Sequence, residues 1–193
     1  MSSILLAAAG STQWDEEARL LGSRSLPLSE GGRQEVSDLA SQLAGTPFRI
    51  IYTGHSRHCL ESARILAHSG RRRRVRCLDD LCEVDQGLWE GLPLAEIERC
   101  YARAYRAWLR DPEAVRPPEG ETIAHAYQRV RQALARIARR HKGHTVAIVA
   151  PRLLRALIQC CLHGRGPEAV WDLYRADVQW EVLSVPDSVV GRA

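Results

Sequence analysis

Short apolar runs alternate along this chain with stretches in which apolar residues recur at helical spacing. The first, second and fourth runs are each followed by such a stretch, which is typical of repeated βα units and a mainly parallel sheet. The last run alternates apolar and polar residues, as an edge strand does. The predicted strands are Ile4–Ala9, Phe48–Thr53, Val75–Leu78, Val146–Ala150 and Val178–Val185.

Helical periodicity predicts four helices around these strands, over Glu30–Ala44, Arg57–His68, Thr122–Arg140 and Pro151–Leu162. Between Leu81 and Pro118 there is no strand pattern, and residues of about 94–110 are predicted to be helical. We expect this insertion to form a lid over the carboxyl ends of the strands. The whole chain, 1–193, is therefore predicted to be one α/β domain, a three-layer α/β/α sandwich with a mostly parallel sheet.

Composition excludes several classes of protein. Hydrophobic residues make up 45% and charged residues 26% of the chain, as in a globular domain. No apolar run is long enough to span a membrane, and the N-terminus lacks the basic segment of a signal peptide, so a cytoplasmic location is expected. The six cysteines have no C-x-x-C spacing, so neither a metal site nor a disulfide framework is predicted.

The net charge of +4 permits an anionic partner but does not require one. The four consecutive arginines Arg71–Arg74 form the densest basic cluster. A run of this kind can bind phosphate backbones, but it has no interleaved aromatic residues and no accompanying nucleic-acid motif. We therefore interpret it as a solvated turn, and nucleic-acid binding is not expected.

The first predicted strand ends in an unreactive sequence, Ala7-Ala8-Ala9-Gly10. In open α/β sheets, ligands bind at the carboxyl ends of the strands. At this place the chain has methyl groups, which can neither attack a substrate nor neutralise a negative charge. The predicted fold is thus typical of enzymes, but the residues at this strand end have no reactive side chain.

Six segments in order resemble motifs of the histidine phosphatase superfamily, the phosphoglycerate mutase-like proteins. The family's Leu-x-Arg-His-Gly-Glu-Thr is similar to Leu6–Thr12, and its Pro-Leu-Thr-Glu-x-Gly is similar to Pro27–Gly32. The family's later motifs resemble four further segments: Tyr52–Ala63, Leu81–Gly91, Pro118–Thr122 and Val146–Arg155. The resemblance covers residues of about 4–185 and implies a phosphoglycerate mutase-like fold.

The resemblance also implies which positions should carry the family's reaction. The nucleophilic histidine corresponds to Ala9, and the first phosphate-binding arginine corresponds to Ala8. The second arginine corresponds to His58 and the second histidine to Pro151, while the acid position, Glu83, keeps its glutamate. No catalytic set is intact, so the resemblance implies a degenerate member without phosphatase or mutase activity. No cofactor is implied.

The main hypothesis is therefore a pseudophosphatase that binds a small anionic or phosphorylated ligand, or a protein partner. Arginine side chains suit phosphates and carboxylates alike. The candidate ligand-binding residues are Arg19, Arg57, His58, Glu83 and Arg152. Arg57 and Arg152 are each one position away from a family site residue. They could point into the pocket or could be solvated residues at helix ends.

Two alternatives stay open. One is an active phosphatase or other hydrolase with a site rebuilt from His55 or His58, Glu83 and Arg152. It requires these side chains to converge on one point. The other is a structural scaffold, such as a homodimer, whose pocket is vestigial and whose apolar surface is buried between subunits.

Overall fold

The computed structural model describes residues 2–69, 73–176 and 178–191, and it contains one five-stranded sheet. The strands are β1 (Ser3–Ala8), β2 (Ile50–Thr53), β3 (Arg74–Cys77), β4 (Thr145–Ala150) and β5 (Trp180–Ser184). The strand order is β3-β2-β4-β1-β5, with β5 antiparallel to β1 and the other pairs parallel. The predicted α/β fold with a mostly parallel sheet is confirmed.

The helices follow the strands in the predicted order, and three short 3-10 turns lie at Asp79–Leu81, Gly87–Trp89 and Pro167–Ala169. The helices are α1 (Gln13–Glu16), α2 (Glu30–Gln42), α3 (Arg57–His68), α4 (Leu94–Cys100), α5 (Ala102–Arg110), α6 (Ile123–Arg140), α7 (Arg152–Leu162), α8 (Val170–Ala176) and α9 (Asp187–Val190). Of these, α1, α4, α5, α8 and α9 are short.

The sheet is buried on both faces, which gives the three layers. In β1, Ile4 and Leu6 pack against the helices on one face, α6, α7 and α9. Leu5 and Ala7 point to the other face and pack against α2 and α3. Because successive side chains of a strand point to opposite faces, an unbroken apolar strand requires this double cover.

Hydroxyl side chains determine where two of the long helices begin. Ser29 Oγ accepts a hydrogen bond from Gly32 N at 2.9 Å, and Thr122 Oγ1 accepts one from His125 N at 3.1 Å. Each bond satisfies an N–H group that has no partner inside its helix. Thr122, predicted as the first residue of the helix, is therefore its N-cap.

The insertion contains two helices over the stretch that was predicted to be helical. The chain breaks at Tyr101, whose φ of −122° and ψ of 34° separate α4 from α5. Aromatic side chains join the insertion to the core: Trp108 makes an edge-on contact with Trp171 at 4.5 Å between ring centroids. Trp171 Nε1 also donates to Trp108 O at 2.8 Å. The insertion is thus anchored to α8 through a buried contact.

The arginine cluster is partly structural. Arg71 and Arg72 lie outside the described residues, and Arg74 is exposed on β3. Arg73 is buried; it donates to Leu66 O and Leu43 O, each at 2.8 Å, and its guanidinium lies 3.9 Å from the centre of the Phe48 ring. The interpretation as a solvated turn is therefore wrong for Arg73, because three segments present carbonyl and aromatic partners to it.

A membrane-spanning helix was not expected from the sequence. Among the residues that the structure describes, no helix has the length and apolar character needed to cross a bilayer.

Candidate active site

The carboxyl ends of β1, β4 and β2 lie side by side, and we call this place the strand-end site. It consists of Ala8 and Ala9 at the end of β1, Pro151 after β4, and His55 after β2. Ala8 pairs with Ala150, and Ala9 N donates to Ala150 O at 2.9 Å. The two positions that the resemblance assigned to histidines, Ala9 and Pro151, are therefore neighbours in space. Neither side chain can accept a phosphoryl group.

His58 lies in the first turn of α3 and is fully buried, with 1% of its surface exposed. Its Nε2 lies 3.3 Å from Cys59 Sγ, and its backbone N donates to Leu26 O at 2.8 Å. Burial lowers the pKa of His58, and the negative charge of Asp15 opposes this only in part. The imidazole is therefore neutral at pH 7. The resemblance implies a positively charged arginine at this position.

Glu83 is buried and binds the N-terminus of α7. Its Oε2 accepts a hydrogen bond from Leu153 N at 3.1 Å, and its Oε1 accepts bonds from Leu154 N at 2.9 Å and Val84 N at 2.8 Å. The N-cap residue of α7, Pro151, has no side-chain group that could make these bonds. The Glu83 carboxylate thus serves as the helix cap from a distant part of the chain.

The environment of Glu83 acts on its ionisation in two directions. Burial raises the pKa of Glu83 to about 7, although the three amide donors and the nearby charge of Arg129 lower it. A carboxyl group with this pKa could donate a proton near neutral pH. Both of its oxygens, however, are already bonded to backbone amides.

The predicted ligand-binding arginines have other partners in this structure. Arg57 Nε donates to Glu61 Oε1 at 2.8 Å on the exposed side of α3. Arg19 donates to Glu17 Oε2 at 2.6 Å and to Gly91 O at 2.8 Å. The Arg152 guanidinium lies over the Tyr174 ring, 4.4 Å from its centre. A role of these arginines in binding a ligand stays a prediction.

His55 is the exposed imidazole of the strand-end site. Its Nε2 lies 3.0 Å from Asp79 Oδ1, at the turn that follows β3. His58 and Glu83 are instead engaged with Cys59 and with α7. His55, His58 and Glu83 thus each contact a different partner and do not contact one another.

An open cavity of about 520 Å³ lies beside Glu83, between the turn after β3 and the start of α6. Glu83 is the one predicted site residue among those that line it. Glu121 and Arg129 form a two-pronged ion pair in its wall, with Nε–Oε1 and Nη2–Oε2 distances of 2.8 Å each. The remaining acidic lining residues include Asp79, Asp85 and Glu119. Carboxylates outnumber cations around it, so this cavity does not favour a phosphate.

One sequence signal could have indicated this wall. Glu121 lies in the Pro118–Thr122 turn, directly before the N-cap of α6, and Arg129 lies eight residues further on, within the helix. Eight residues are close to two helical turns, which places the carboxylate near the side of α6 that carries Arg129. Arg129 also donates to three backbone carbonyls, of Asp80, Cys82 and Glu83, and so holds the segment that carries Glu83.

No group of three or more histidine, cysteine, aspartate or glutamate side chains suited to a metal ion occurs within residues 2–69, 73–176 and 178–191.

Solved structures share this fold over most of the chain. YhfR from Bacillus stearothermophilus superposes with a TM-score of 0.82 at 29% identity, covering 89% of this chain and 84% of that one. A histidine-to-alanine mutant of phosphoserine phosphatase from Entamoeba histolytica, in complex with phosphoserine, gives a TM-score of 0.78 at 22% identity. It covers 89% of this chain and 85% of that one.

Sequence comparison agrees with the fold and with the motif resemblance. Phosphoserine phosphatase 1 of Hydrogenobacter thermophilus is 24% identical over 187 residues, which is 97% of this chain and 88% of that protein. The family model of the histidine phosphatase superfamily, branch 1, matches residues 4–189. Because that match spans nearly the whole chain, the protein belongs to branch 1 of the histidine phosphatase superfamily.

Proposed function

We propose that this protein binds a phosphorylated small molecule at the strand-end site without transferring its phosphoryl group. The observation that carries this proposal is the hydrogen bond from Ala9 N to Ala150 O, which places Ala9 next to Pro151. A methyl group and a pyrrolidine ring stand there in place of the two histidines of the family. Without these two histidines, no covalent phosphohistidine can form at these positions.

The charges around the site support the same conclusion. Phosphoryl transfer depends on cations that neutralise the oxygens of the transferring group. Ala8 provides no charge, and His58 is neutral because burial lowers its pKa. Glu83, the family's acid position, is bonded to the amides of α7. The loss therefore extends beyond the nucleophile to the groups that would stabilise the transition state.

Binding can persist where transfer is lost. In the Entamoeba histolytica protein, a histidine-to-alanine mutant is found with phosphoserine. In this chain the positive charge would come from Arg19 and Arg57, which now pair with Glu17 and with the largely buried Glu61. Exposed ion pairs contribute only about 0–1 kcal/mol, so exchanging Glu17 for a phosphate costs Arg19 little. Glu61 keeps its bond from Arg33 if Arg57 turns to a phosphate.

The first experiment measures turnover. Purified protein should release no phosphate from phosphoserine or from an aryl phosphate above a protein-free control, and it should form no acid-labile phosphoprotein. The quadruple variant Ala8→Arg, Ala9→His, His58→Arg and Pro151→His restores the family residues and provides the positive comparison. Phosphatase activity of the unaltered chain would contradict the proposal.

The second experiment measures binding by calorimetry, with phosphoserine as the probe. Ala8→Asp places a carboxylate at the strand-end site and should abolish binding, because two anions repel each other there. Ala102→Asp makes the same change on α5 and should leave binding intact. Absence of binding by the unaltered chain, or equal binding by both variants, would refute a ligand at this site.

The second candidate function is a phosphatase with a rebuilt site, and the names of the relatives favour it. Phosphoserine phosphatase 1 matches 97% of this chain. The pair formed by His55 Nε2 and Asp79 Oδ1 at 3.0 Å resembles a base held by its orienting carboxylate. Phosphate release that disappears in His55→Ala, and persists in the matched exposed variant His68→Ala, would establish this function instead.

A further inference from the structure

The outer edge of β5 has backbone groups without a partner. Val185 N donates to Ser2 O, and Ala8 N donates to Gln179 O, so the odd-numbered residues of this segment face β1. In an antiparallel pair the direction of these groups alternates from residue to residue. The N–H and C=O groups of Trp180, Val182 and Ser184 therefore point away from the sheet. No described residue bonds to their N–H groups.

The same edge exposes apolar side chains. Val182 is 52% exposed and Trp180 is 37% exposed, although both belong to a strand of the central sheet. Trp180 is held in place by a hydrogen bond from its Nε1 to Gln42 Oε1 of α2, at 3.1 Å. Natural edge strands are usually protected by charged side chains, a proline, a bulge or a cover. Residues 178–184 contain neither lysine nor proline, the register with β1 is continuous, and the one charged side chain, Glu181, is bonded to Gln159 of α7.

We propose that two copies of this protein associate through their β5 edges, antiparallel about a two-fold axis at Val182. In this register Val182 pairs with the same residue of the second copy, and Trp180 pairs with Ser184 on each side. All three pairs join outward-facing backbone groups, which allows about six hydrogen bonds between the copies. The sheet then continues from one copy into the other.

Side-chain size and charge select this register among the possible ones. A two-fold axis at Glu181 would place two carboxylates opposite each other, and like charges in that position are destabilising. An axis at Leu183 would pair Trp180 with Pro186, which has no N–H group to donate. In the proposed register the large Trp180 lies opposite the small Ser184, and Glu181 lies opposite Leu183 of the second copy.

The partner fits a second copy because the outward-facing backbone groups of β5 are self-complementary. The chain carries a net charge of +4, so two copies repel each other overall. The outward-facing residues of β5 are uncharged, which leaves the edge free of this repulsion. An isologous contact of this kind closes at the dimer and does not propagate into a filament.

The first test measures mass in solution by light scattering and sedimentation over a wide range of protein concentrations. The unaltered chain should form a dimer, and Val182→Lys should be a monomer with unchanged circular dichroism. Leu88→Lys introduces the same charge at a residue that is 56% exposed in the insertion, and it should stay a dimer. A monomeric unaltered chain, or a dimer that Val182→Lys leaves intact, overturns the proposal.

The second test measures the register. In a Cys100→Ser background, Val182→Cys should form a disulfide-linked dimer on mild oxidation, because paired residues lie about 5.5 Å apart between Cα atoms, within disulfide range. Leu88→Cys in the same background should not. A dimer that Val182→Cys does not cross-link overturns the two-fold axis at Val182.

Discussion

The buried carboxyl group of Glu83 should make the free energy of unfolding depend on pH in a predictable direction. Burial raises its pKa from 4.5 to about 7 in the folded state, while an unfolded chain keeps the ordinary value. The folded state therefore holds this proton more tightly. The contribution of Glu83 to stability is complete below about pH 4.5 and is lost as the pH rises to about 7.

The size of the effect follows from the shift in pKa. One pKa unit corresponds to about 1.36 kcal/mol, so the unfolding free energy should lose about 3 kcal/mol between pH 4 and pH 8 through this group. The titration of His58 contributes with the opposite sign, because its folded pKa is lowered. The contributions of Glu83 and His58 can be separated by comparison with a variant in which residue 83 does not ionise.

Glu83→Gln is that variant, because its amide does not ionise. Its oxygen can still accept from Leu154 N and Val84 N, while its NH₂ group faces Leu153 N and loses that bond. Arg129, whose charge lowers the pKa of Glu83, and the buried thiol of Cys59 do not titrate between pH 4 and pH 8. The stability difference between the two proteins should therefore shift by about 3 kcal/mol in favour of Glu83→Gln as the pH rises.

Urea unfolding followed by circular dichroism at five pH values between 4 and 8 measures this difference. Glu61→Gln is the matched control. Hydrogen bonds from Arg57 and Leu28 N outweigh burial and hold the pKa of Glu61 below its ordinary value, so its stability is lost as the pH falls. If the unfolding free energies of the unaltered protein and of Glu83→Gln change in parallel with pH, the pKa of Glu83 is not raised. The amides of α7 then compensate fully for burial, which contradicts the expectation.

Three further perturbations test the frame and the site. Gly10→Ala should destabilise the fold by about 2–4 kcal/mol, measured by urea unfolding, because the new Cβ would clash with the carbonyl oxygen of Gly32. Arg73→Ala should lower the free energy of unfolding by about 3 kcal/mol, because two charged hydrogen bonds are lost. Arg74→Ala, at the exposed neighbouring residue, should change it by no more than about 0.5 kcal/mol. Equal effects of the two substitutions would contradict the structural role of Arg73. Ala9→His alone should form no acid-labile phosphoprotein, because the nucleophile would return without its cations; phosphorylation of that variant would show that the clamp is not required.

Regular segments were predictable because local patterns decide them. α3 has the predicted bounds, Arg57–His68, and α6 differs by one residue at its start. The strands agree to within two residues at each end, and the position of β5 at the edge of the sheet followed from its alternating pattern. The break at Tyr101 between α4 and α5 was not predicted, since it lies within a continuous helical pattern.

The motifs place Ala9 and Pro151 each at the end of a predicted strand. In the structure the two residues are neighbours because those strands, β1 and β4, are paired. What no local pattern could indicate is the use of Glu83. Its carboxylate binds amides seventy and seventy-one residues away in α7.

The alternation of strands and helices and the family could be derived from the amino-acid sequence alone, because each depends on residue type and spacing along the chain. The tertiary structure alone decided that His58 is a neutral buried imidazole, that Arg73 is a buried anchor and that Glu83 caps α7. Charge state and hydrogen bonding depend on which distant groups surround a side chain, and only folding brings those groups together.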